Sequence, residues 1–217
     1  MGKLDPQSLD NSRMMKPSHP LLFTQLFIPL IPHSHPIWTL EIWKHFQNEL
    51  NEGRDGGPPA YGNSGKSVSK AVSWVLENTL GSCGVWNKLC HLSVFSAISP
   101  WAEAIMFWSA SKLLRHNTRI TSIDFNPCVL DNIPPNTIAE CLSPMDLIEK
   151  SDILFDLTVS YSGIEHDGLG RYGDPVNPDG DVSAMREMWL LTRPGGVLLV
   201  SEYHGLLCKK QFRVLSI

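Results

Sequence analysis

Residues 89–124, LCHLSVFSAISPWAEAIMFWSASKLLRHNTRITSID, decide the fold. The apolar run Leu89–Ser96 predicts a buried strand. Ser99 and Pro100 then supply an N-cap and a first-turn proline, which open a helix to about His116. Arg119–Asp124 predicts a second strand. A strand, a helix of this length and a second strand form a crossover unit, the connection that parallel strands require.

The same alternation continues towards the C-terminus. Ser143-Pro-Met-Asp146 reads as a capping box before a short helix, and Ile153–Tyr161 as a strand. Asp181 is expected to cap a helix running to Leu191. Gly195-Gly196 turns the chain into the apolar strand Val197–Ser201. Repeated units of this kind predict an α/β fold over 89–217, a Rossmann-like parallel sheet with helices on both faces.

Towards the N-terminus the pattern changes. Residues 1–36, rich in Pro, Ser and His, read as an irregular arm, and 37–88 as a helical region interrupted by a linker. Ile37–Leu50 has helical periodicity, 54–65 (RDGGPPAYGNSG) is a linker by composition, and Ser67 is expected to cap a helix through Leu80. The apolar stretch 20–31 is 12 residues long. That is too short for a bilayer, which needs about 20, and no small-residue cleavage site follows it. No membrane span is therefore expected, and a cytoplasmic location follows.

Composition limits the function classes. Of 217 residues, 42% are hydrophobic and 18% charged, as in a globular chain with a core, and the net charge is −4. The basic residues are scattered, which argues against a nucleic-acid groove or an anionic-membrane patch. Five cysteines without a Cys-x-x-Cys pair suggest buried free thiols rather than a disulfide framework or a zinc site. No Gly-x-Ser-x-Gly elbow supports a serine hydrolase. Gly62–Ser67 (GNSGKS) is similar to the end of a phosphate-binding loop, but Ala60 stands where that motif needs its first glycine, and no strand precedes it. His33, His35 and His19 read as incidental.

In an open parallel sheet, ligands bind at the carboxyl ends of the strands, where strand order reverses. Ser96–Ser99, Asp124–Asn126, Ser160–Gly163 and Ser201-Glu202 should converge there. A carboxylate ending the second strand can accept hydrogen bonds from both ribose hydroxyls, and Asp124 lies about 25 residues beyond the first loop, as nucleotide-binding folds require. The alternative role for Asp124 is a turn cap before Pro127. Residues 165–181 combine six acidic or imidazole side chains with four glycines. His166 is a candidate general base that Asp167 or Glu165 could orient. The alternative is a loop braced by its own hydrogen bonds, with Arg171 neutralising the acids. No metal site is expected, because the register of a calcium-binding loop fails over this stretch.

Phe155-Asp156, Glu165-His166-Asp167 and Arg193-Pro-Gly-Gly-Val-Leu resemble the fourth- and fifth-strand motifs of class I S-adenosylmethionine (SAM)-dependent methyltransferases. More specifically, SPWAEA (99–104), IDFNP (123–127) and SGIEHDGLGRYGDPVNPDGD (162–181) resemble the DUF268 family, over roughly Leu89–Glu202. This resemblance implies SAM as cofactor, with Asp124 at the adenosine ribose. Ser96, Ser99 and Trp101 would face its methionine end, Ser160 and Ser162 would complete the site, and His166 or Asp167 would take a proton. It also implies a seven-stranded sheet. With 17 residues after Val200, the last two strands are expected to be missing. Val197–Val200 would then be a bare edge open to self-association. The first loop, 94–99, contains no glycine, with Phe95 and Ile98 where the class has small residues.

Two readings follow. The first is transfer of a methyl group from SAM to a small molecule or sugar. The second is an inactive Rossmann-like domain that binds or scaffolds. A nicotinamide-dependent oxidoreductase is disfavoured, because Gly-x-Gly-x-x-Gly is absent.

Overall fold

The computed structural model describes residues 36–58, 62–79, 89–95, 99–113, 118–133, 140–149, 153–204 and 209–217. The apolar stretch 20–31, His19, His33, His35, Ser96 and Ile98 lie outside them. Among the described residues no helix is long and apolar enough to cross a membrane.

Six strands form the main sheet in the order β5 (Glu140–Leu142), β3 (Thr118–Ile123), β2 (Cys90–Phe95), β6 (Phe155–Tyr161), β7 (Thr192–His204), β8 (Lys209–Ser216). The first five are parallel, and β8 runs antiparallel to β7. From β2 the chain moves outward to β3 and β5, then returns to the other side of β2 for β6 and β7. The order therefore reverses between β2 and β6, which leaves a crevice at their carboxyl ends. All seven residues of β6 are buried, as befits a central strand covered on both faces.

The helices cover the two faces of the sheet. On one face, α1 (Leu40–Asn51), α2 (Ser64–Asn78) and α3 (Trp101–Leu113) join the sheet in a core that includes Trp43, Val72, Ile105, Leu92, Val159 and Leu199. Helix α3 lies between the sheet and the other two helices, so it is buried around most of its circumference. On the other face, α4 (Pro144–Glu149) and α5 (Gly180–Leu191) pack over Phe95, Ile123, Phe155, Leu198 and Val200. A row of buried hydroxyls crosses the central strands: Ser93 Oγ donates to Thr158 Oγ1 (3.1 Å), which lies 2.8 Å from Thr192 Oγ1. Thr192 ends the row by donating to the Met188 carbonyl of α5 (2.7 Å). Satisfied in this way, polar residues are tolerated in the middle of the sheet.

Several local expectations are corrected. Ile37–Thr39 is not helical but a short strand, β1, paired in parallel with β4 (Val129–Asp131). Thr39 caps α1 instead, accepting from the Ile42 amide (3.3 Å). Helix α2 begins at Ser64, before Ser67, because Asp55 reaches across the linker. Its carboxylate accepts from the Gly65 and Lys66 amides, both at 2.9 Å. The chain's own carboxylate thus occupies the end of the GNSGKS stretch that a phosphate would take in a phosphate-binding loop. Helix α5 begins at Gly180 with Asp179 in the cap position, so Asp181 lies inside its first turn. The capping box at α4 forms as expected: Ser143 Oγ accepts from the Asp146 amide (3.1 Å), and the Asp146 carboxylate accepts from the Ser143 amide (3.0 Å).

Two further corrections concern the sheet edge and the cysteines. Val197–Val200 is not a bare edge, because β8 pairs with β7 from Val197 opposite Ser216 to His204 opposite Lys209. Residues 209–216 carry little apolar alternation of their own and extend by pairing with β7. Cys128 and Cys141 are not free thiols but a disulfide, and buried Cys90 is disulfide-bonded as well. Cys128 precedes β4 and Cys141 lies in β5, two strands in contact, so the fold brings together cysteines whose spacing carries no signal.

Candidate functional site

The carboxyl ends of β2, β3, β6 and β7 form one rim of the sheet. Asp124 follows β3 directly, and its amide donates to the Leu142 carbonyl at the end of β5 (3.1 Å), which fixes it at that rim. Its Oδ1 accepts from the Asn126 amide (2.8 Å). The turn-cap role is therefore present, and among the described residues Oδ2 is left for another partner. The Asn126 side chain donates to the Tyr172 carbonyl (2.7 Å). This bond ties the β3 loop to the acidic segment that follows β6.

That segment opens at Ser162, which has a left-handed backbone (φ 53°). Its amide donates to Ser201 Oγ at the end of β7 (3.0 Å) and its hydroxyl to Glu165 Oε1 (2.6 Å). A 3-10 turn over Ile164–His166 follows. The loop beyond it is built around Asp174, whose carboxylate accepts from the amides of Gly168 (2.7 Å), Gly170 (3.1 Å) and Tyr172 (3.2 Å). Alternate amides converge on one internal anion, as in an anion-binding nest. The loop is therefore braced by its own hydrogen bonds, while Arg171 lies over the Tyr172 ring at 5.7 Å.

The glycines of this loop are needed for close approach. Gly168 has φ +81°, and a Cβ there would overlap the Asn177 carbonyl and crowd Gly180. Gly168→Ala is expected to cost about 2 kcal/mol or more, since a left-handed alanine alone costs roughly 1–2 kcal/mol. Faster hydrogen exchange at the Gly170 and Tyr172 amides, with the central strands still protected, is the expected signature. Unchanged exchange at both amides would contradict this account of the loop.

The acids here are electrostatically linked. Burial raises the Asp124 carboxyl to about 6, with the Asp174 charge adding to the effect. Burial likewise raises Asp167 to about 7, helped by the charges of Asp124 and Asp174. Below them lies Glu103 in the first turn of α3, fully buried and raised by burial to about 8. Ser122 Oγ donates to its Oε1 (2.8 Å), and among the described residues its Oε2 has no hydrogen-bond partner. Glu103 is therefore neutral at pH 7, which avoids a second buried negative charge beneath Asp124. Sequence reasoning missed Glu103, and it counted Asp174 among the acids of 165–181 without its role as the acceptor at the centre of the loop. A lone acid in an apolar helix, as in Trp-Ala-Glu-Ala-Ile, was the available signal for Glu103.

Among the expected site residues, Asp124, Ser162, His166 and Asp167 come to the rim together. Ser99 lies just before α3 and is half-buried, its carbonyl accepting from the Trp101 amide (2.9 Å). Trp101 is buried, its ring edge-on to Tyr161 with centroids 5.1 Å apart. Ser160 is fully buried, and among the described residues its hydroxyl has no partner. The His166 ring packs edge-on to Tyr172 (5.8 Å), while Glu165 is engaged by Ser162. Phe95 points its bulk into the core on the α5 face and not towards the rim. Phe155-Asp156 and Arg193 lie at the opposite end of the sheet, where Asp156 pairs with Arg193 and accepts from the His91 amide (2.8 Å). Among the described residues, no group of three or more His, Cys, Asp or Glu side chains could hold a metal ion.

Beside the rim, between the 3-10 turn, α5 and the end of β7, lies a cleft of about 390 Å³. Ile164, Val182, Met185 and Val200 form its apolar walls, and Glu165, Asp181 and Ser201 its polar part.

No curated protein matches this chain. The sequence model of a family described as "Caenorhabditis protein of unknown function, DUF268" matches residues 94–206, just over half of the chain and including every rim residue named above. The chain belongs to the DUF268 family.

Proposed function

We propose that the rim binds SAM in the manner of a Rossmann-like class I methyltransferase, and that the protein methylates a small molecule or sugar. The observation that carries this reading is Asp124, a carboxylate with one oxygen still available, at the end of the strand next to the point where strand order reverses. A ribose presents two hydroxyl donors to such a group. The order β5-β3-β2-β6-β7 followed by an antiparallel strand supports this reading, with six described strands of the seven that the resemblance implies. The inward-packed Phe95 removes one objection raised by a glycine-free first loop.

When bound, the cofactor would supply a methyl group on a sulfonium. The chain's own residues would then orient the reactants and accept a proton. Asp124 would hold the ribose and so set the register of the cofactor. Asp167, raised to about 7, changes protonation near neutral pH, as a general base requires. His166, braced against Tyr172, is the other candidate for that proton.

Calorimetric titration with SAM, S-adenosylhomocysteine and, for comparison, NAD tests this reading. Saturable binding of the first two, abolished in Asp124→Ala, is expected. Because Asp124 is protonated below about 6, affinity should fall as pH drops through that value, by about tenfold at pH 5. No heat from a folded sample would instead favour the second reading, a binding or scaffolding domain. That reading draws its support from the absence of glycine in 94–99, because a loop with side chains at every position keeps backbone N–H groups away from a ligand.

A further inference from the structure

We propose that the cleft between the 3-10 turn, α5 and the end of β7 binds a small organic cation, an apolar body carrying a protonated amine. At about 390 Å³ it is large enough for a small ligand, within the range of known small-molecule pockets. Its walls are apolar: Val200 from β7, Ile164 from the turn, and Met185 and Val182 from α5. These suit a hydrocarbon or aromatic body, with the unbranched Met185 able to adapt to its shape.

The polar part of the cleft has one sign. Glu165 and Asp181 both line it, and among the described residues no Lys, Arg or His does. Each carboxylate has one oxygen engaged locally: Glu165 Oε1 accepts from Ser162, and Asp181 Oδ1 from the Val182 amide (2.8 Å). Among the described residues, the second oxygen of each has no partner. An ammonium group would meet two carboxylates with acceptor capacity left, whereas a carboxylate ligand would meet only repulsion. Ser201 is held by the Ser162 amide, so the wall that carries Glu165 is fixed to the floor made by β7.

This assignment does not depend on SAM or on methyl transfer. If the rim failed to bind the cofactor, the cleft would keep its ligand class. If the cleft failed, the reading of the rim would stand.

The test is NMR titration of uniformly ¹⁵N-labelled full-length protein at pH 7 with benzylamine, benzyl alcohol and benzoate, three ligands of one shape and different charge. Saturable shifts at the amides of Ile164, Glu165, Val182 and Met185 are expected for benzylamine, with a roughly millimolar Kd suited to so small a ligand. Benzyl alcohol should bind about tenfold more weakly, and benzoate more weakly still. In the Glu165→Gln/Asp181→Asn double variant, benzylamine should fall to the affinity of the alcohol. Raising the salt to about 1 M should weaken the amine without affecting the alcohol. Equal binding of amine and alcohol to the native protein, shifts confined to another region, or no saturable shifts with benzylamine would each overturn the proposal.

Discussion

Replacing Asp156 by alanine is expected to lower the unfolding free energy by about 3–5 kcal/mol, the cost of removing one partner of a buried ion pair. The carboxylate is almost fully buried, 4% exposed. It accepts from the His91 amide of β2 and pairs with Arg193 of β7, so one side chain of β6 joins three neighbouring strands at the amino end of the sheet. Alanine would leave a partly buried guanidinium and a backbone N–H without acceptors. Asp156→Asn keeps the size and one acceptor but not the charge, and should cost less. Urea melts of the two variants, together with Arg193→Ala and the double variant, would measure the coupling. A double variant whose loss equals the sum of the single losses would show that the pair contributes no coupling. The motif similarity that drew attention to Asp156 and Arg193 thus points to a residue pair that holds the sheet together, away from the rim.

The second large effect depends on pH. Glu103 is raised to about 8 in the folded protein, against an ordinary value of 4.5. Below pH 4.5 it is protonated in both states and carries no penalty. Between 4.5 and 8 the unfolded chain releases the proton and the folded chain keeps it, so stability falls as pH rises. The loss amounts to at most about 5 kcal/mol by pH 8, at 1.36 kcal/mol for each pH unit of displacement. Glu103→Gln cannot ionise, and its amide oxygen can still accept from Ser122. The variant should match the parent near pH 4.5 and exceed it by several kcal/mol at pH 8. Asp124 and Asp167 are displaced in the same direction, so the informative quantity is the difference between variant and parent at each pH. A difference that stays flat from pH 5 to 8 would show that Glu103 is not held neutral. Such a buried acid reduces stability at neutral pH, and its position beneath Asp124 gives it a consequence for the rim. With Glu103 neutral, Asp124 can be ionised without a second buried charge close by.

Much of the architecture is legible in the sequence. The centre of β7 is an apolar run and β2 is mostly apolar, while β3 and β6 mix apolar with hydroxyl residues. It is the spacing of strands by helix-length segments that makes the parallel sheet legible. Capping at Ser143 and the proline just before α3 are local chemistry, visible within a few residues. Gly195-Gly196, in contrast, expected as a turn into a strand at Val197, lies inside β7, which starts at Thr192. The placement of Asp124 at the rim also followed from pattern alone, because a residue that directly ends a parallel strand has no other place to go.

Features set by residues distant in sequence were out of reach. Residues 37–39 continue a helical periodicity and become a strand because β4 offers them a partner. Residues 209–216 have little pattern and extend against β7. Cys128 and Cys141 bond because the fold brings β4 beside β5. The loop at 165–181 showed its acids and glycines, but only the folded chain gave Asp174 to the backbone amides and Asp167 to the rim. Glu103 shows the division most clearly. As a residue it is an ordinary helical acid, and the dry layer between sheet and helices is what holds its proton. Local conformation is governed by neighbours within a turn or two, so the sequence by itself determined the main strand–helix alternation and the capping box at Ser143. Charge state, pairing and the meeting of distant loops depend on desolvation and contact across the whole fold, and only the tertiary structure decided them.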